Sequence, residues 1–353
     1  MRIPTSLTKG TAKMAAKECY TLLRITIAAL GAALLCSALP AGAQSLSTRP
    51  IRIVMPYAPS GPTDLGFRAL GEAMSPILGV PVVMENRPGA SGKIAAEAVA
   101  RAEPDGHTLL VAAATQIVTL PLLDKTVSYK ALEDFRMISQ FVEFDIIFFA
   151  SAASGIKTMK ELAARMQKKD DVVFASIGQP QLTSTGLAFL AFAKMTNGSA
   201  LEITYSGQAP AVLEMLAGRV TVGTYTVSGM LPHVQSGKLV TLAVASPSRM
   251  AELPDTPTMT EAGFPEYMAA ANWKPWIGIV APGKTPEAII NVLNRAIVQA
   301  AQTEVLRTRI GQAGLLLRAK GTAAQDDAAW RSEFERLAAL LKRFDIRLPD
   351  EKK

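Results

Sequence analysis

The chain has 353 residues, with 37 Lys and Arg against 30 Asp and Glu, and a net charge of +7. No dense Lys/Arg cluster with interleaved aromatics occurs, so composition and charge argue against a nucleic-acid partner. Both cysteines, Cys19 and Cys36, fall in the first 36 residues of the chain, which argues against disulfides, Cys nucleophiles and Cys-ligated metals in the rest.

Residues 1–24 carry Arg2, Lys9, Lys13, Lys17 and Arg24 against one acid, Glu18. The apolar run 25–39 follows, and then Pro40 and Ala41-Gly42-Ala43. The run is shorter than the roughly 20 residues that span a membrane. The pattern predicts a cleavable signal peptide over residues 1–43, with the mature protein starting near Gln44. Removing five basic residues and one acid leaves 32 against 29, so the mature charge is only +3.

Strand-like apolar runs then follow in order at 51–55, 80–84, 108–113, 172–175, 201–204, 220–224, 239–245 and 276–280. Between them lie helical patterns, marked by Phe67, Leu70, Met74 and Ile77, by Leu187, Leu190 and Met195, and by Ile289, Leu293, Ile297 and Ala301. Alternating β and α elements predict an α/β fold with parallel sheets covered by helices. The run "MISQFVEFDIIFFA" at 137–150 is too long for one ordinary strand, and a second such stretch lies at 273–281. Two crossings divide the mature chain into lobe one, residues 48–143 plus 277–353, and lobe two, residues 144–276. A cleft between two lobes suits a small ligand, bound outside the carboxyl ends of the strands.

Several loops after strands offer donors. "YAPSGPTD" at 57–64 leaves the first strand through prolines into a helix start, where Thr63 or Asp64 can cap and Gly61 leaves the backbone open. "ENRPGASGK" at 85–93 is a small-residue loop, and Ala114, Thr115 and Gln116 follow the third strand. Ser176 and Gly178 precede Thr183, Ser184 and Thr185, all good helix caps. "TYSG" adds Tyr205 and Gly207. Helix starts carry partial positive charge, so such loops suit a carboxylate or phosphate.

"GIVAPGKT" at 278–285 matches a nucleotide-binding pattern. Its first glycine lies inside a strand run, and Thr285-Pro286-Glu287 reads as a helix start with Thr285 as cap. It is read as structural. The two histidines, His107 and His233, are read as structural or surface groups, and no metal-binding spacing or nucleophile elbow occurs. Asp64 and Glu85 are read as helix-start and strand-end residues, not as an acid pair. Trp273 and Trp276 either wall the cleft or fill a hinge core. No catalysis, metal or cofactor is expected.

"RPIRIVMPYAPSGPTD", "VVMENRPGASGKIAAEAVARAEPDGHTLLVA", "GKLVTLAVASPSRMAELPDTPTMTEAGFPEY" and "WIGIVAPGKTPEAIINVLN" together resemble the Bug, or tripartite tricarboxylate transporter (TctC-like), family of periplasmic solute-binding proteins. The resemblance covers about residues 48–340. It implies a type II periplasmic-binding fold, two α/β lobes joined by crossover strands. It also implies a small organic carboxylate held by segments 59–64 and 176–185, a periplasmic location, and delivery to membrane permease subunits or a sensor domain. An exported hydrolase or lyase on the same fold is the rival reading. A monomer is expected. The ligand-binding set is Tyr57, Pro59, Ser60, Gly61, Thr63, Asp64, Thr115, Ser176, Gly178, Thr183, Tyr205, Gly207 and Tyr225.

Three residues depart from the family pattern. Ser60 stands where the family usually has a second glycine. Gly186, in a second loop that the resemblance implies is longer, stands where a histidine would begin the helix. Tyr225 stands where an aspartate is common; tyrosine lacks the charge to meet an ammonium group, so a plain or aromatic carboxylate is expected in preference to an amino acid.

Overall fold

The computed structural model describes residue 46 and residues 48–348, apart from 169–171, 228, 272–273 and 314. The expected signal peptide, both cysteines and Trp273 lie outside the described residues.

Two sheets organise the chain. The first has the order β11-β4-β10-β3-β1-β2 and the second β7-β6-β8-β5-β9. The first is built from β1 (Ile51–Met55), β2 (Val82–Asn86), β3 (Thr108–Ala113), β4 (Phe135–Glu143), β10 (Trp276–Pro282) and the short β11 (Leu316–Leu317). The second takes β5 (Ile147–Ser151), β6 (Val173–Ile177), β7 (Leu201–Tyr205), β8 (Val222–Tyr225) and β9 (Leu239–Val244). The long run at 137–150 is therefore the end of one strand and most of the next, with 144–146 passing between the sheets.

The sheets are mixed, not parallel as the β-then-α alternation suggested. β1 pairs parallel with β2 and β3, and β6 parallel with β7 and β8. β10 runs antiparallel between β3 and β4, and β5 antiparallel between β8 and β9. The reason is topological: these two strands enter their sheets directly from a crossing, with no helix to reverse the chain, so they run against their neighbours. Lys274, just before β10, bridges Glu143 at 2.9 Å and Asp145 at 3.8 Å, tying the two crossings together.

Helices cover the faces. In α1 (Pro62–Leu78), Phe67, Leu70 and Met74 recur at helical spacing and are fully buried. Phe67 meets Phe141 of β4 edge-on, with ring centroids 5.1 Å apart. In α2 (Ser184–Met195), Phe189 stacks on Phe174 of β6 at 3.8 Å and Phe192 meets Phe148 of β5. Each such ring contributes roughly 1.5–3 kcal/mol by burial. Two further helices matter below: α3 (Gln208–Leu216) after β7, and α4 (Glu287–Ala300) after β10. The last, α5 (Ala323–Arg343), packs along β4 and begins with a capping box between Thr322 and Gln325. One apolar cluster runs from Val54, Ala112 and Phe135 to Phe148, Phe174 and Phe192, so the two sheets share a continuous core.

The nucleotide-like motif is structural. Gly278 lies inside β10, and a Cβ on Gly283 would fall 1.9 Å from the Glu133 carbonyl oxygen. The helix start differs from expectation by one residue. Pro286 occupies the cap position of α4, while the Thr285 hydroxyl is buried without a hydrogen-bond partner.

Candidate functional site

A cavity of about 820 Å³ opens between the sheets. Its wall takes Thr63 from the start of α1, Ile177 at the end of β6, Gly207 after β7 and Tyr225 at the end of β8. The carboxyl ends of parallel strands from both sheets thus converge on one space, as open α/β sheets require of a ligand site. Of the expected binding residues, Thr63, Gly207 and Tyr225 line this cavity.

The first loop is held by a network. Helix α1 begins at Pro62 with Gly61 in the cap position and no side-chain cap. The expected capping by Thr63 or Asp64 is not what occurs. Asp64 lies inside the first turn and accepts instead from the Ser60 N–H at 3.0 Å, Arg68 Nε at 2.9 Å and Asn86 Nδ2 at 2.8 Å. Asn86 also donates to the Tyr57 carbonyl at 3.0 Å and accepts from Arg68 at 2.6 Å. Burial works to raise the Asp64 carboxyl, but the donors from Arg68, Asn86 and Ser60 outweigh it and hold it below the usual range. Asp64 is 2% exposed and its two oxygens serve the loop.

What this frame holds open is backbone. The first intrahelical bond runs from the Leu65 N–H to the Gly61 carbonyl at 3.0 Å, so the Thr63 and Asp64 N–H groups come before it, without intrahelical partners. A Cβ on Gly61 would meet only the Ala58 carbonyl, at 4.0 Å. Pro59 and Ser60 are exposed and Tyr57 half-buried. Ser60 has φ +70°, the left-handed region where a glycine costs nothing. Glu85 makes no acid pair with Asp64; it faces Arg87 and Arg52.

In the second loop Thr183 caps α2, its hydroxyl accepting from the Gly186 N–H at 3.1 Å. A Cβ at Gly186 would lie 2.3 Å from Pro180 Cα. Pro180 fills the place a side chain at 186 would take. The buried Ser176 hydroxyl is within reach of the Gly178 carbonyl and the Thr204 hydroxyl, and the exposed Gly178 N–H donates to the Tyr205 carbonyl at 3.1 Å. Thr119 reaches across from the first sheet's side, donating to the Leu182 carbonyl at 2.7 Å. It ends the helical turn that starts at the half-buried Thr115.

Tyr225 is 1% exposed, and its hydroxyl donates to the Ala175 carbonyl at 2.9 Å. Burial raises that hydroxyl far above its ordinary value, so it stays neutral. The ring lies over Gly223, where a Cβ would come within 2.2 Å of it. Tyr225 therefore gives the cavity an aromatic wall and not a free donor.

Sequence reasoning missed other wall residues. Phe144 stands between the sheets and Leu315 precedes β11. Gln208 begins α3 directly after Gly207, where the rule of helix starts after strands would have found it. His233, expected as structural or surface, also lines the cavity, from a short helix, Leu231–Gln235, that carries no such signal. His107, by contrast, is buried with Nδ1 3.3 Å from the Pro50 carbonyl.

Comparisons with known proteins agree with this architecture. A model of the tripartite tricarboxylate transporter family receptor, TctC, matches residues 66–342. BugT of Bordetella pertussis is 33% identical over 273 residues, 76% of this chain and 81% of BugT. The solved structure of periplasmic binding protein BugD superposes with a TM-score of 0.72 at 29% identity, covering 85% of this chain and 99% of BugD. MatC from Rhodopseudomonas palustris, solved with bound malate, gives 0.71 at 27% identity, covering 83% and 99%. This chain belongs to the tripartite tricarboxylate transporter receptor (TctC, or Bug) family.

Proposed function

We propose that the protein is an exported, non-catalytic receptor that captures a small organic carboxylate in the periplasm and delivers it to a membrane permease. The observation that carries this reading is the cavity into which a helix start from each lobe opens, against an otherwise largely apolar wall. Helix-start N–H groups solvate a carboxylate without a formal counter-charge. Malate in the related MatC supports the same ligand class. The ligand residues would be the Thr63 and Asp64 N–H groups beside Gly61 in lobe one. In lobe two they would be the segment 176–185, of which Ile177 and Thr185 line the cavity, and the start of α3 at Gln208. Pro59 and Ser60 would shape the socket mouth, and Tyr225 would favour a ligand without an ammonium group.

A thermal-shift screen of mono-, di- and tricarboxylates, aromatic acids and amino acids tests the reading. A carboxylate should raise the melting temperature and be recovered unchanged. Stabilisation by aspartate or glutamate alone, or conversion of the bound acid, would contradict it.

A further inference from the structure

We infer that His233 is a specificity-determining residue that reads a second polar group on the ligand, so that the preferred ligand is an elongated carboxylate with an apolar middle and a hydrogen-bond acceptor at its far end. This rests on the carboxylate reading above and goes beyond it.

The wall explains why. Its apolar part includes Phe144, Ile177, Val212, Leu213, Ile277 and Leu315. Among its polar side chains, the Tyr225 hydroxyl is spent on Ala175, and Thr226 lies 3.4 Å from the Gln208 side-chain oxygen. Thr63 and Thr185 sit within the first turns of α1 and α2, beside the N–H groups that would take the first carboxylate. His233 remains. Its half-buried imidazole makes no hydrogen bond among the described residues, and it is the one ionisable nitrogen on the described wall. An apolar ligand end closing over that ring would strand its N–H away from water, which is unfavourable. An acceptor would satisfy it, and a carboxylate oxygen would do so with a stronger hydrogen bond than a neutral acceptor.

Size points the same way. About 820 Å³ lies within the roughly 300–1,000 Å³ of ordinary small-ligand pockets, which leaves room for an acid with an apolar middle. Thr63 belongs to the first sheet's lobe and His233 follows β8 of the second. A two-ended ligand anchored at both would bridge the lobes and couple occupancy to their closure.

The test uses matched acids that differ only at the far end: octanoate against octanedioate, and 4-propylbenzoate against 4-(2-carboxyethyl)benzoate. Titration calorimetry on the wild-type protein should show at least about tenfold tighter binding of the two-ended acid in one pair or both. His233→Leu should reduce that preference to within about twofold, and His233→Gln, which keeps an N–H donor, should retain part of it. Circular dichroism melts check that both variants fold. The wild-type ratio needs no variant, so a misfolded His233→Leu leaves the inference open to refutation. Equal binding of one- and two-ended acids by wild type, or an unchanged ratio in a folded His233→Leu, overturns the role of His233 alone. Binding of none of the four, with no hit in the wider carboxylate screen, overturns the carboxylate reading with it.

Discussion

Asn86 Nδ2 donates to Asp64 Oδ1 at 2.8 Å, joining residues 22 apart in sequence. The bond ties the "ENR" motif at the end of β2 to the "PTD" motif that starts α1. Two segments that look independent in the sequence are one scaffold, and its product is the orientation of the N–H groups beside Gly61.

Asn86→Ala removes donors to both Asp64 and the Tyr57 carbonyl, and an acceptor for Arg68. The expected loss of stability is on the order of 1–3 kcal/mol, read by urea denaturation. Carboxylate affinity should fall by about tenfold as the loop loosens. Because its donors depress the Asp64 carboxyl, the stabilisation it gives is present above the unfolded-state value. It is lost as pH falls through the lower folded-state value, so wild type and Asn86→Ala should converge in acid.

Ser60 holds φ +70°, and its N–H is needed by Asp64. Ser60→Gly keeps that N–H and removes the left-handed penalty of a side chain. The variant should gain about 0.5–1 kcal/mol in chemical denaturation, after the greater entropy of a glycine in the unfolded chain is subtracted. A loss would mean that the exposed hydroxyl stabilises the loop by more than the strain costs.

Gly186 has no room to change. Its Cβ would lie 2.3 Å from Pro180 Cα and 2.5 Å from the Pro180 carbonyl oxygen. Gly186→Ala should cost about 2–4 kcal/mol, and Gly186→His at least as much. Because the contact is with backbone, Pro180→Ala should not rescue either. A melting temperature unchanged by Gly186→Ala would refute the close packing of Pro180 on Gly186.

Glu333 of α5 is buried and accepts from Trp276 Nε1, while its other oxygen has no partner. Burial pushes its carboxyl up from 4.5 to about 7, against Trp276, Arg336 and Arg318. An acid raised in the folded state binds more protons there than when unfolded. Its ionisation therefore erodes stability as pH rises from the unfolded value to the folded one. Glu333→Gln, which can still accept from Trp276, should be more stable than wild type at pH 8 by on the order of 2 kcal/mol and gain little at pH 5. Parallel denaturation curves at the two pH values check it.

Much of the fold was legible because burial imposes periodicity. The runs at 51–55 and 108–113 coincide with β1 and β3 residue for residue, and Phe67, Leu70 and Met74 are core residues as their spacing implies. The antiparallel course of β5 and β10 was not legible. Strand direction depends on whether a helix or a crossing precedes the strand, and apolar runs look alike in both directions. At the site, the β1–α1 loop was visible through its prolines and Gly61. Its scaffold was not, since Asn86 and Asp64 meet only in three dimensions. Tyr225 reads as a hydroxyl in sequence, yet Gly223 lets its ring fold back and spend that hydroxyl on Ala175. His233 lies on a five-residue helix with no motif around it, so only the cavity reveals it.

The most direct measurement is calorimetric titration of the tightest carboxylate from the screen into wild type and Gly61→Val. A valine Cβ meets only the Ala58 carbonyl, at 4.0 Å, within the protein, so the fold should hold while the side chain enters the socket. The account predicts an unchanged melting temperature without ligand and an affinity loss of at least about a hundredfold. Equal affinity in the two proteins would contradict it, because the carboxylate would then be bound somewhere other than the backbone beside Gly61.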